Sequence, residues 1–242
     1  MLHYQKFGSK IALYLRIENA SLMIKRILSY FIPINIYQKK SEINKNLEVT
    51  WANGQLVLDS ENTNYSYGSL QRILRKGLHY IGFERIRGFE NVLVLGVAGG
   101  SVIKTLVDEI KFSGKITGVE LDANVIEIAN KYFGLNQIPN LEIVIGDAFE
   151  YILKTKEKYD LIIIDIFQDT TMPNFLFEDF FINRINFLLK VNGFILFNTM
   201  TLNKKDKERN LNYRSRFDDN YSVRMYPKVE DHNELFTIKK LG

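Results

Sequence analysis

Val92, Leu93, Val94 and Leu95 form an unbroken apolar run that passes directly into Gly96-Val97-Ala98-Gly99-Gly100-Ser101. A short apolar run bounded by glycines reads as a strand buried on both faces. Residues 101–110 then follow with helical spacing. Small residues at the strand end let the backbone turn sharply and approach a ligand without a Cβ in the way. The helix that follows points its free N–H groups at whatever carries negative charge.

The same alternation repeats on the C-terminal side. Strands are predicted at Lys115 to Glu120, Leu141 to Ile145, Leu161 to Ile164 and Phe194 to Phe197. Helices are predicted at Ala123 to Phe133, Ala148 to Lys154 and Phe180 to Leu189. A polar helix near 203–216 precedes two further strands, Tyr221 to Tyr226 and Leu235 to Lys239. Buried strands alternating with helices give an α/β fold, a parallel sheet covered on both faces. Upstream, Ala52-Asn53-Gly54 between Leu47 to Trp51 and Gln55 to Asp59 is a hairpin signature. Ser69 to Tyr80 reads as a helix, and residues 1–45 as helical and basic.

In an open parallel sheet, ligands sit beyond the carboxyl ends of the strands. Those ends carry the glycine loop, then Glu120, then Gly146-Asp147-Ala148, then Asp165. Taken singly each has an ordinary explanation: a tight turn for the glycines, and helix N-caps for Asp122 and Asp147. Together, four consecutive strand ends in register define one crevice. Glu120, about 20 residues after the loop, is placed to accept hydrogen bonds from ribose hydroxyls. A dinucleotide site would want glycines where Ala98 and Ser101 stand. A sulfonium nucleoside such as S-adenosylmethionine fits better, with its amino-acid part on the loop, its ribose on Glu120 and its adenine near Asp147.

Composition narrows the chemistry. The chain has 242 residues, 46% of them hydrophobic and 25% charged, which excludes a disordered or collagen-like chain. There is no cysteine, so thiolate metal sites, disulfides and a thiol nucleophile are excluded, and a reducing cytoplasmic setting is allowed. His3, His79 and His232 are scattered, and no metal site is expected. The net charge of +4 is not gathered into a phosphate track. Lys204 to Arg209 is interrupted by acids and reads as a solvated face, so no nucleic-acid partner is expected. Ile27 to Ile36 is too short to span a bilayer. Ile11 to Phe31, with Lys10 at its edge, carries Arg16, Lys25 and Arg26 against Glu18. That make-up suits either a membrane-surface helix or one docked on its own domain or a second subunit, and the second reading is preferred.

The stretches VLVLGVAGGSV, ITGVELDANVIEIANKYF, GDAFEYI and YDLIIIDIFQD resemble the class I methyltransferase superfamily, and within it the spermidine synthase branch (polyamine aminopropyltransferases). Tyr65-Ser66-Tyr67 is similar to that branch's aromatic-Ser-Tyr segment. The resemblance spans roughly residues 47–200. It implies a Rossmann-like, seven-stranded, mostly parallel sheet with a small N-terminal helix and β-hairpin region. The implied division is 1–46 as a helical basic extension, 47–84 as hairpin plus helix, and 85–242 as the nucleoside-binding domain. Gly96, Ala98 and Gly100 would line the amino-acid end of the donor, Glu120 and Leu121 the ribose region, and Asp147 and Ala148 the adenine. Asp165 would take the proton from an attacking amine that Tyr67 orients. Gln168 and Asp169 would face the acceptor. A homodimer or homotetramer is expected by the same analogy.

Three departures bear on the reaction. The family's loop aspartate, which grips the free amine of decarboxylated S-adenosylmethionine, is Gly99 here. A diamine-binding glutamate is replaced within Gly68-Ser69, and a second aspartate by Gln168. Each lost carboxylate would have paired with an ammonium in a desolvated pocket. The first expectation is therefore an S-adenosylmethionine-dependent methyltransferase acting on a small molecule. The alternatives are a polyamine aminopropyltransferase using the decarboxylated donor, and a nucleoside-binding protein without catalysis. Ile166 to Phe181, with Phe167, Phe175, Phe177 and Phe180, reads equally as a lid or as ordinary packing.

Overall fold

The computed structural model describes residues 21–60, 63–66, 68–167, 171–230 and 232–242, and for 63–66 and 69 only the backbone. Residues 21–28 are helical (α1). Four antiparallel strands follow: β1 (Ile34–Ser41), β2 (Lys45–Ala52), β3 (Gln55–Ser60) and β4 (Thr63–Ser66), paired in chain order. Strand β1 corrects the reading of residues 1–45 as helical. The helix stops at Leu28, a turn carries the chain through Pro33, and the strand that follows places Lys39 on its half-buried side and Lys40 on its exposed side. The predicted Asn-Gly turn is present, with both central residues left-handed (Asn53 φ 50°, Gly54 φ 74°) as a two-residue hairpin requires. A division at 46/47 falls inside β2.

Helices α2 (Ser69–Ile81) and α3 (Phe83–Arg87) lead to the second sheet. In chain order this contains β5 (Asn91–Leu95), α4 (Ser101–Lys104) continued by a π-helical turn to Glu109, β6 (Lys115–Glu120), α5 (Ala123–Phe133), β7 (Leu141–Ile145), α6 (Ala148–Lys154) and β8 (Tyr159–Ile164). Then come α7 (Asp179–Leu188), β9 (Leu189–Met200), α8 (Lys204–Arg214), β10 (Tyr221–Tyr226) and β11 (Asn233–Lys240). The strand order is β10-β11-β9-β8-β5-β6-β7, with β5 to β9 parallel and β10 and β11 antiparallel. This is the seven-stranded, mostly parallel sheet that the sequence implies.

Two-residue alternation sorts the strands between two cores. Val92 and Val94 face α2, α4 and α5 with Ile163 and Leu196. Leu93 and Leu95 face α6 and α7 with Ile162, Ile164 and Phe197. Both sets are fully buried, which explains why the strands read as continuous apolar runs rather than alternating ones. The small sheet packs on the outer side of α5 through Leu47, Val49 and Leu58 against Val125, Ile128 and Phe133. Polar bonds add register: Asn44 donates from its amide to Asp122 Oδ2 at 2.8 Å, and the Ser41 hydroxyl bonds the same oxygen. The first turn of the small sheet is thereby tied to the residue that follows Glu120 and Leu121.

Candidate active site

From β5 the chain proceeds outward to β6 and β7, then returns to β8 and β9 on the other side. The order reverses between β5 and β8, which is where an open α/β sheet opens its crevice. Gly96 ends β5 there and Asp165 ends β8. The Asp165 amide donates to the Leu95 carbonyl at 2.9 Å. A Cβ on Gly96, whose φ is +89°, would lie 2.1 Å from the Asp165 carbonyl oxygen. No other residue fits, so the loop glycine and the acid are parts of one junction.

Every second loop residue has a left-handed backbone: Gly96, Ala98 (φ 50°) and Gly100 (φ 81°). The buried Glu120 carboxylate holds this shape. Its Oε2 accepts the amides of Val97 (3.1 Å) and Ala98 (3.0 Å), and its Oε1 accepts that of Asp122 (3.1 Å). Burial pushes the carboxyl above the usual range, and the amides pull against that shift. Much of the loop's donor capacity is thus turned inward to Glu120. A ribose placed here would share the carboxylate with the loop, and the loop would meet the donor mainly through its glycine Cα atoms.

The next strand end joins the same group, because the Gly146 amide donates to the Glu120 carbonyl at 2.9 Å. Asp147 is exposed, and its Oδ1 caps α6 by accepting the Phe149 amide at 2.7 Å and the Glu150 amide at 3.3 Å. It therefore fills the cap role, and Ala148 begins the helix. Asp122 caps α5 in the same way. Leu121 (42% exposed) and Ile145 (49%) offer apolar surface at adjacent strand ends, and a Cβ at Gly146 would meet nothing within 4 Å. A buried carboxylate for two hydroxyls, beside open space and exposed aliphatics for a flat base, fits an adenosine.

Asp165 lies where charge is disfavoured. Burial raises its carboxyl, the Glu120 charge adds to that, and an Asn198 amide bond opposes it, leaving it at about 6. Asn198 is fully buried on β9 and donates from Nδ2 to Asp165 Oδ1 at 2.9 Å. Its own Oδ1 accepts from Asn233 Nδ2 on β11 at 3.0 Å. The clamp fixes the carboxyl through Oδ1 and leaves Oδ2 without a hydrogen-bond partner among the described residues. Sequence reasoning missed Asn198, although a polar residue closing the apolar run Phe194 to Phe197 at the same sheet edge was a usable signal.

The structure thus joins Gly96, Ala98, Glu120 and Asp165 in one bonded group, with Gly100 opening α4 and Leu121, Asp147 and Ala148 beside it. Tyr67, Gln168 and Asp169 lie outside the described residues. Within the proposed lid, Met172 and Leu176 are buried, and Phe177 packs on Phe197 and Tyr213 at 5.6 and 5.8 Å. For these residues packing is what the fold shows.

A family model for the spermine/spermidine synthase domain matches residues 73–228. The chain belongs to the spermine/spermidine synthase domain family. Similar curated members include the polyamine aminopropyltransferase of Vibrio vulnificus, 31% identical over 139 residues, covering 56% of this chain and 46% of that one. That of Buchnera aphidicola subsp. Acyrthosiphon pisum is 32% identical over 147 residues, covering 57% and 49%. The chain spans about half the length of these curated relatives. Among solved structures, Thermotoga maritima spermidine synthase superposes with a TM-score of 0.66 at 23% identity, covering 86% of this chain and 73% of that one. Human methyltransferase-like protein 13, in complex with SAH, gives 0.61 at 20% identity, covering 73% and 83%. These likenesses establish the fold that the family member shares with both groups.

Proposed function

We propose that this family member transfers an aminopropyl group from decarboxylated S-adenosylmethionine to the amine of a small acceptor. One observation carries the reading: a clamped carboxyl, raised to about 6, stands at the switch point beside the glycine loop and the buried Glu120. The curated relatives named polyamine aminopropyltransferase support it. This reverses the order suggested by the sequence, where methyl transfer came first.

The sulfonium supplies a carbon already bonded to a good leaving group. The protein's tasks are to hold that carbon in line with the amine and to remove the amine's proton. Glu120 and the loop hold the nucleoside. Asp165, ionised at neutral pH but a stronger base than an ordinary aspartate, accepts the proton as the new N–C bond forms. The electrons of the breaking C–S bond go to sulfur, leaving a neutral thioether. Oδ2 is the atom for this role, because Oδ1 is engaged by Asn198.

Methyl transfer from unmodified S-adenosylmethionine is the second reading, and Gly99 favours it. A carboxylate there would select the donor bearing a free amine and no carboxylate, and glycine applies no such selection. Calorimetric titration of the full chain with each donor decides the order. Tighter binding of the decarboxylated form supports aminopropyl transfer, and clear preference for the unmodified form replaces it with methyl transfer.

A further inference from the structure

Asp165, Asn198 and Asn233 belong to three neighbouring strands and form one row across the sheet edge. Ile164 pairs with Phe197 in the parallel register of β8 and β9, so the next step along both strands sets Asp165 beside Asn198. Asn198 pairs with Leu235 on β11. Asn233, two residues before Leu235, shares its face and stands diagonally across from Asn198. Amides join the row: Asn233 Nδ2 donates to Asn198 Oδ1 at 3.0 Å, and Asn198 Nδ2 donates to Asp165 Oδ1 at 2.9 Å. Glu234 lies on the opposite face, where it accepts from Asn210 Nδ2 at 2.9 Å, and stays out of the row.

An amide has a donor end and an acceptor end, and turning it over exchanges them. An ionised Asp165 can only accept, so Asn198 has to present Nδ2 to it. The Asn198 Oδ1 then points away from Asp165, in a side chain that is fully buried, where a carbonyl without a partner is costly. Asn233 supplies the donor. Both of its backbone groups are held at the end of the β10–β11 hairpin: its amide donates to the Glu230 carbonyl at 2.7 Å, and its carbonyl accepts the Val229 amide at 3.0 Å. The direction of donation is thus set from the far end of the row.

We propose that Asn233 is a positioning residue for Asp165, acting through Asn198 to select the amide orientation that favours the ionised carboxylate. Among the described residues the charged neighbour acting on Asp165 is Glu120 on β6, which opposes ionisation, so the row works against it. Near Asn233, Glu230 is paired with Arg72 of α2, Lys76 of α2 donates to the Val229 carbonyl, and His232 is exposed. The consequence for turnover rests on Asp165 being the proton acceptor; the state of its carboxyl does not.

The test follows the Asp165 carboxyl of the full chain by carbon-13 NMR through a pH titration, the signal being identified by its loss in Asp165→Asn. Asn233→Asp replaces the donor by an acceptor, so Asn198 turns over and offers Oδ1, which only a protonated Asp165 can bond. The midpoint should rise by about one pH unit. Asn233→Leu and Asn233→Ala remove the donor without adding charge, and each should raise the midpoint by a smaller amount. In every variant the acid limb of kcat/KM should move with the carboxyl, while affinity for the nucleoside donor stays within about twofold in calorimetry, because Glu120 and the loop share no bond with Asn233. An unmoved midpoint in a folded uncharged variant overturns the proposal even when Asn233→Asp shows a rise, since added charge alone gives that. Moved midpoints with an unmoved pH profile support the positioning role and count instead against Asp165 as the proton acceptor.

Discussion

Asp165 is charged at neutral pH in a position that disfavours charge. Its carboxyl is pushed up to about 6 from the usual 3.8, so the folded state holds the proton more tightly. Stability from this group is therefore greatest at low pH and falls as pH rises through the interval between the two values. Asp165→Asn removes the penalty and keeps an acceptor for Asn198. It should raise stability at pH 8 by about 1–3 kcal/mol in urea denaturation, and lower turnover by roughly 10²–10⁴. In the wild type, kcat/KM should fall on the acid side with a midpoint near 6. Glu120→Gln should weaken donor binding by about 1–3 kcal/mol in calorimetry, the loss of a charged acceptor. Ala98, left-handed without being glycine, stores strain. Ala98→Gly should raise unfolding free energy by about 1 kcal/mol, less the entropy that glycine adds to the unfolded chain. The acids were legible in the sequence because each closes an apolar run. Asn198 closes one as well, but nothing in the sequence shows that it meets Asp165, 33 residues away.

Helices and strands of the large sheet were legible because their burial on both faces leaves long apolar runs with glycine or acid at the ends. The small sheet was legible only in its Asn-Gly turn. Strand β1 was hidden because its exposed positions are the polar Asn35, Gln38 and Lys40, and its bond partners lie in β2. That sheet also contains a strained pair: Glu48 faces Asp59 directly across β2 and β3. Burial, with Glu48 adding, pushes Asp59 up to about 6. The sign is that of Asp165, so stability is lost as pH rises toward 6 and beyond. Asp59→Asn should stabilise the protein by about 1 kcal/mol at pH 8 and have no such effect at pH 4, as read by thermal melting at both pH values.

Across the whole molecule, the order of the strands does the chemical work. Reversal between β5 and β8 brings Gly96, Glu120 and Asp165 together from stretches separated by 24 and 45 residues. The alternating pattern disclosed a parallel sheet, and the resemblance disclosed its seven strands. Neither disclosed that Glu120 would brace the loop, because that depends on three backbone amides that carry no sequence label. The resemblance implies an aspartate where Gly99 stands, so the donor is the point to measure. The most direct measurement incubates the full chain at pH 8 with a panel of amines and either decarboxylated or unmodified S-adenosylmethionine, following the thioether nucleoside by mass spectrometry. The account predicts thioether release from the decarboxylated donor, slowed at least about a hundredfold by Asp165→Asn. Consumption of neither donor, or equal rates with and without the Asp165 carboxylate, would contradict it.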